Sequence, residues 1–336
     1  MSGADSVAWE TTPLRSLLFV PGSDERKLRK VASLGADAIV IDLEDAVADE
    51  EKSAARVLTR AFIPQCARSG ALVIVRVNSL QTGRMADDVA AVAHPALAGI
   101  MLPKVEEAGD LTALDEAITQ AEAEVGVRQG TVRVLALIES AKGVLACDRI
   151  LAEAPARTHT CVFGSGDFST ELDIDLTRGG EELLYARSRL LLAARAARLA
   201  KPIDGPWLAL EDVDGLADNS ARSRGLGFQG RVTVYPPQVP IVNEAYSALG
   251  EEVLARMRRI VAAFEEAEAR GVASIRVDGA FVDYPIYRLA RERLSLAAGG
   301  AAGIIAPDAH EGQAQDAQEV EALGVHEDQG VDRAQG

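Results

Sequence analysis

The chain has 336 residues, of which 48% are hydrophobic and 26% charged, with a formal net charge of −16. That length allows one large α/β domain or two ordinary ones, each with a buried core. The acidic balance argues against a nucleic-acid or membrane-surface binder, because both partners are polyanionic, and aromatics at 4% offer no stacking platform for single strands.

The start, MSGADSVAWETTP, has no apolar signal-peptide core, and residues 1–12 are expected to be flexible. Short β-branched runs then predict eight buried strands: 16–21, 38–43, 72–77, 99–104, 133–139, 160–165, a weak one at 201–207, and 231–236. Helical windows lie between them at 24–34, 52–69, 107–125, 142–154, 181–199 and 212–226. Eight two-sided apolar strands alternating with helices predict a TIM (β/α)8 barrel. A doubly wound open sheet is the alternative, but no GxGxxG turn follows the first strand.

Past the barrel, assigned to 13–239, the segment 240–298 predicts a helical extension. Its parts are helices at 240–249 and 251–270, a hairpin turning at Asp278-Gly279, and a last helix at 286–297. Residues 299–336 read as a disordered acidic tail. From Asp308 on it holds eight acids against Arg333 alone, so it carries −7 of the −16. No apolar run approaches the ~18 residues of a membrane span. Three cysteines without CxxC spacing disfavour disulfides and a thiolate metal site, which with the missing signal points to the cytoplasm.

Barrel enzymes place their chemistry at the C-terminal ends of the strands, and charged residues collect there. Glu139 and Asp167 on adjacent strand ends suit a hard divalent cation such as Mg²⁺, against the bland alternative of two salt-bridged carboxylates. Only His94 and His159 lie within the predicted globular part, which disfavours zinc and Ser-His-Asp chemistry. Arg76 is either a structural ion pair with Glu44 or Asp45, or a fork gripping a substrate carboxylate or enolate oxygen. Glu44 and Asp45 are expected behind the metal, bonding its waters. Lys104 is expected to pair with that acidic cluster rather than to form a Schiff base. Asp204 is a loop cap or a pocket wall, and Cys147 and Cys161 are small core residues.

Taken together, RSLLFVPGS, ADAIVIDLEDAVADEEKSAAR, VRVNS, GIMLPKVE, ALIESAKGV, GSGDF, DGPW and GFQGRVTVYPPQV resemble the citrate lyase beta-subunit-like (CitE-like) group. That group includes malyl-CoA and citramalyl-CoA lyases and sits within the HpcH/HpaI aldolase superfamily. The resemblance covers residues 14–298. It implies a Mg²⁺-dependent lyase that breaks or forms a carbon–carbon bond between an acyl-CoA and a 2-oxo acid of the pyruvate or glyoxylate class, in a homotrimer or hexamer. By that resemblance Glu139 and Asp167 hold the metal, Arg76 contacts the 2-oxo acid, and the amides of Gly166 and Asp167 hold its carboxylate. Asp283, in FVDYPIYRLA, is the acid/base group reaching a neighbouring subunit. Phe19, Lys30 and the backbone at Val234-Tyr235 match CoA-binding positions. Two departures stand out: Asp24 replaces a frequent Arg, and Tyr235 replaces the usual His before Pro. They make an aldolase acting on a non-CoA 2-oxo acid adduct a credible alternative, and the resemblance to malyl-CoA thioesterases adds a second, hydrolysis of the thioester at the same site.

Overall fold

A computed structural model describes Trp9, residues 12–247 and residues 250–297. The expected tail and most of the first 12 residues lie outside the described residues. Eight parallel strands close into a barrel in sequence order: β1 (Ser16–Pro21), β2 (Ala38–Asp42), β3 (Leu72–Arg76), β4 (Gly99–Leu102), β5 (Arg133–Ile138), β6 (Thr158–Phe163), β7 (Ile203–Asp204) and β8 (Gly230–Thr233). Strand alternation separates two apolar sets. Leu17, Val40, Ile74, Met101, Leu135, Val162 and Val232 fill the barrel interior. Leu18, Ile39, Val73, Ile100, Val134 and Phe163 face outward into the helix layer.

That layer contains α1 (Glu25–Val31), α2 (Lys52–Ala67), α3 (Met85–Val92), α4 (Ala108–Glu124), α5 (Ala141–Ala152), α6 (Ser165–Glu171), α7 (Leu184–Ala196), α8 (Val213–Leu226) and α9 (Gln238–Ser247). Side-chain caps start several of them: Asp24 accepts from the Lys27 amide, Ser140 from Gly143, and Asp212 from Gly215. The helices α3 and α6 were not among the expected windows. The first has only eight residues, and the second begins inside Gly-Ser-Gly, which reads as a loop. The expected boundary at 240 falls inside α9. That helix belongs to the barrel wall, because Val239 joins the main core and Asn243 bonds Ser16 and the Gly35 carbonyl.

Beyond it, α10 (Glu251–Glu268), the antiparallel pair β9 (Ser274–Val277) and β10 (Ala280–Asp283), and α11 (Tyr284–Ala297) gather around a separate core of Met257, Ile260, Phe264, Val277, Val282 and Tyr287. Phe264 stacks on Tyr287 with ring centroids 4.7 Å apart. The hairpin turns where expected, with Asp278 and Gly279 both at positive φ (49° and 81°), the geometry that matches strand twist in a two-residue loop. Trp9 departs from the expected flexible start. It is buried, donates from Nε1 to the Ala98 carbonyl at 3.1 Å, and meets the His159 ring at 4.6 Å.

Candidate functional site

The interior face of each strand continues past its apolar residues into the barrel mouth. In β2 the inward series Ala38, Val40 ends on Asp42, and in β3 Leu72, Ile74 ends on Arg76, with Asp42 and Arg76 in register. The same parity puts Phe19 under the mouth from β1 and places Glu139 just past the end of β5. Asp42, Glu44 and Glu139 are all buried.

Arg76 donates from Nε and Nη2 to the two oxygens of Asp42, both at 2.7 Å. Its Nη1 lies 2.9 Å from Glu44, while Asp45 is 3.8 Å away, and the guanidinium sits over Phe19 at 5.1 Å. The expected partners Glu44 and Asp45 are therefore secondary to Asp42. The edge expected to fork a substrate carboxylate is already occupied. Burial opposes the Arg76 charge, but Asp42, Glu44 and Glu139 outweigh it and raise its pKa.

Lys104 follows β4 in a left-handed conformation, φ 53°. Its amide donates to Glu139 at 2.9 Å and its Nζ lies 3.0 Å from Glu44, so it pairs with the acidic cluster as expected. Burial lowers the Lys104 pKa, but Glu44, Asp45 and Glu139 more than reverse this, which disfavours a neutral nucleophilic amine. The turn carrying Glu44 is held from behind. Lys52 donates to the carbonyls of Leu43 and Glu44, and Asn78 donates to Leu43. Asp88 in turn holds Asn78 and takes Arg56 at 2.7 Å.

Glu139 and Asp167 both border an open cleft of ≈ 710 Å³, together with Lys104, Ser79, Gln81, Glu106, Ser140 and Glu171. Burial, then the nearby Glu44 and Asp167 carboxylates, push the Glu139 carboxyl up to about 9 against the opposing pull of Arg76. Gly164, after β6, makes room for it: a Cβ there would sit 2.3 Å from the Cβ of Glu139. Glu44 is raised as well, by burial first, and neither of its buried oxygens takes an aligned protein hydrogen bond. Among the described residues no three His, Cys, Asp or Glu side chains gather as a metal cage. Two hard carboxylates with an under-bonded acceptor behind them fit Mg²⁺, which keeps several waters.

Of the remaining predicted residues only Gly166 sits next to this cluster, beside Asp167; the others lie apart from it. Gly166 and Asp167 begin α6, beside the mouth. Lys30 is exposed on the last turn of α1 and forms no ion pair among the described residues. Asp24 caps α1. The amides of Val234 and Tyr235 both donate to Gln238 Oε1, which leaves the backbone there largely engaged. Asp283 is half-buried in the extension, where its carboxylate accepts from the Ile286 amide. Asp204 is not a pocket wall: it points outward, fully buried against Arg187 and Arg231, and it also accepts from the Gly205 amide at 2.9 Å at the start of the following loop. His94 accepts from the Ala96 amide in a loop, and all three cysteines are buried and free. The residues missed by sequence reasoning are Asp42 as the partner of Arg76, and the Lys52–Asn78–Asp88 support. Inter-strand register sets Asp42 beside Arg76, and the packing of α2 and α3 on the barrel brings the others together.

The family model for HpcH/HpaI aldolase/citrate lyase matches residues 15–236. The chain is 35% identical over 283 residues to the citrate lyase subunit beta of Leuconostoc mesenteroides subsp. cremoris, covering 84% of this chain and 93% of that one. It is 37% identical over 291 residues to a (3S)-malyl-CoA thioesterase of Cereibacter sphaeroides, covering 87% and 97%. Among solved structures, CitE of Mycobacterium tuberculosis in complex with magnesium, acetoacetate and coenzyme A aligns at TM-score 0.69 and 29% identity, covering 86% of this chain and 99% of that one. No helix among the described residues is long and apolar enough to cross a membrane. The closed barrel with its helical extension and the extent of these matches lead to one conclusion: the chain belongs to the HpcH/HpaI aldolase/citrate lyase family, a family of lyases.

Proposed function

We propose that the protein is a Mg²⁺-dependent carbon–carbon lyase acting on a short 3-hydroxyacyl-CoA with a free carboxylate, such as malyl-CoA or citramalyl-CoA. The products are an acyl-CoA and a 2-oxo acid. The observation that carries this reading is the pairing of Glu139 and Asp167 on one cleft with Arg76 beside them. When bound, Mg²⁺ polarises the substrate hydroxyl and the emerging 2-oxo group.

The chain's own residues do the rest. Glu139 and Asp167 hold the cation. The amides of Gly166 and Asp167, in the first turn of α6, orient the 2-oxo acid carboxylate. Arg76 contacts the 2-oxo acid and offsets the negative charge that develops on the enolate as the bond breaks. The hydroxyl proton passes to water in the open cleft as the carbon–carbon bond breaks, and protonated Asp283 delivers one to the carbon released, so the net step moves one proton from oxygen to carbon. Asp283 belongs to an extension with its own core, which suits a group supplied by a neighbouring subunit of a trimer or hexamer. Phe19, Lys30 and the Val234-Tyr235 segment form the proposed CoA side. The setting is the cytoplasm.

A thioesterase using the same cleft is favoured by the similarity to (3S)-malyl-CoA thioesterase. Assay of purified protein with Mg²⁺ and malyl-CoA or citramalyl-CoA, reading free thiol and 2-oxo acid, separates the readings. The expected result is glyoxylate or pyruvate with the CoA still acylated. Free thiol without a 2-oxo acid replaces the lyase by a thioesterase, and inertness towards both thioesters moves the reading to a non-CoA aldolase. Asp283→Ala is expected to abolish turnover while calorimetric Mg²⁺ and pyruvate affinities stay within threefold; loss of pyruvate binding would remove Asp283 from its role.

A further inference from the structure

Asp42 has no spare bonding capacity. It is 1% exposed. Its Oδ1 accepts from Arg76 Nε at 2.7 Å and from the Glu44 amide at 2.9 Å. Its Oδ2 accepts from Arg76 Nη2 at 2.7 Å and from the Ala46 amide at 3.0 Å. A carboxylate offers about four lone-pair positions, and here four donors take them. Neither a cation nor a substrate can be an additional partner for it.

We propose that Asp42 is a positioning residue that sets how Arg76 meets the substrate. The Nε–Nη2 edge of a guanidinium is one of its two-pronged faces for carboxylates. Asp42 takes that face and, with the Phe19 ring against the guanidinium, fixes its orientation, so that Nη1, 2.9 Å from Glu44, and the second hydrogen of Nη2 are the donors not bound by Asp42. Arg76 then meets the substrate through its Nη1 end and not through its Nε–Nη2 edge. The same carboxylate bonds the amides of the Glu44–Ala46 turn, so the orientation of Arg76 and the backbone that carries Glu44 are set together. The identity of the ligand rests on the lyase reading above; the clamp itself does not.

The test uses the full chain with Asp42→Asn, Asp42→Ala, Arg76→Ala and the Asp42→Ala/Arg76→Ala double variant. Pyruvate binding is measured by calorimetry in saturating Mg²⁺. Asp42→Asn keeps the shape but puts an NH₂ group where an acceptor is needed, so it serves where Asp42→Ala fails to fold. Either substitution is expected to weaken pyruvate at least tenfold while Mg²⁺ affinity stays within threefold. On the Arg76→Ala background, removing Asp42 is expected to change pyruvate affinity by less than twofold. An equal loss on both backgrounds overturns the proposal, because Asp42 would then act without Arg76. A crystal structure of Asp42→Asn supplies the second readout. A guanidinium turned away from its place over Phe19 supports the clamp, and one left in place overturns it. Failure of the lyase reading looks different: wild-type protein then binds no pyruvate with Mg²⁺, and the crystal structure alone decides the clamp.

Discussion

Two buried charge clusters in this barrel use the same side chains and reach opposite states. At the mouth, Glu44 and Glu139 are raised, burial being the leading cause for both. Outside the barrel wall, Asp204 is equally deprived of water, yet its pKa is lowered, because Arg231 at 2.7 Å and Arg187 at 3.1 Å outweigh burial. The difference is stoichiometry and access. Asp204 faces two buried guanidiniums and no cleft. The mouth carboxylates share one guanidinium, which Asp42 already claims, and one half-exposed ammonium, and they border open space. A cluster in which guanidiniums outnumber the carboxylate ties elements together, whereas an acid-rich one bordering a cleft is ready for a cation.

The sharpest way to break that contrast is Asp204→Ala. It strands two buried guanidiniums between β7, β8, α7 and α8, at an expected cost of about 3–5 kcal/mol. Urea unfolding measures it, and a change under about 1 kcal/mol would remove Asp204 from its structural role. Because its folded pKa is depressed, its contribution is present above the unfolded carboxylate range and is lost as pH falls through that range.

Next in size is Gly164→Ala. The new Cβ would press on Glu139, costing about 1–3 kcal/mol as overpacking and, by displacing the carboxylate, weakening Mg²⁺ at least tenfold by calorimetry. Unchanged Mg²⁺ affinity would mean that Glu139 does not hold the cation. The smallest effect sharpens the comparison through pH. Glu139 stands near 9 when folded, against an ordinary 4.5. Between those values the metal-free folded protein keeps a proton that the unfolded chain has lost, so its stability falls as pH rises across that window. A cation must displace that proton. The rise in melting temperature caused by Mg²⁺ is therefore expected to grow from pH 6 to pH 9, and a flat profile would contradict the assignment.

Much of the fold is legible along the chain. The first strand matches its expected limits residue for residue, and most of the other seven start within a residue or two. The seventh, weak in sequence, shrinks to Ile203–Asp204. Glu139, Asp167, Arg76 and Lys104 were identifiable because each stands at or just past a strand end. Asp42 was visible only as the first of several acids at the end of β2. Its role depends on the register that sets it opposite Arg76, which neither strand encodes alone. The two buried arginines that face Asp204 were missed for a related reason: the weak pattern around it does not reveal which face of a two-residue strand it occupies.

The sequence by itself determined the alternation of strands and helices, the hairpin turn and the set of polar residues at the strand ends. Those features follow from local periodicity, capping and turn geometry, which act over a few residues. The tertiary structure alone decided which carboxylate neutralises Arg76, which lie in acid excess beside the cleft, and which is sealed behind the wall. Ionisation depends on burial and on partners within a few ångströms, and here those partners are up to 60 residues apart at the mouth and 27 at the wall.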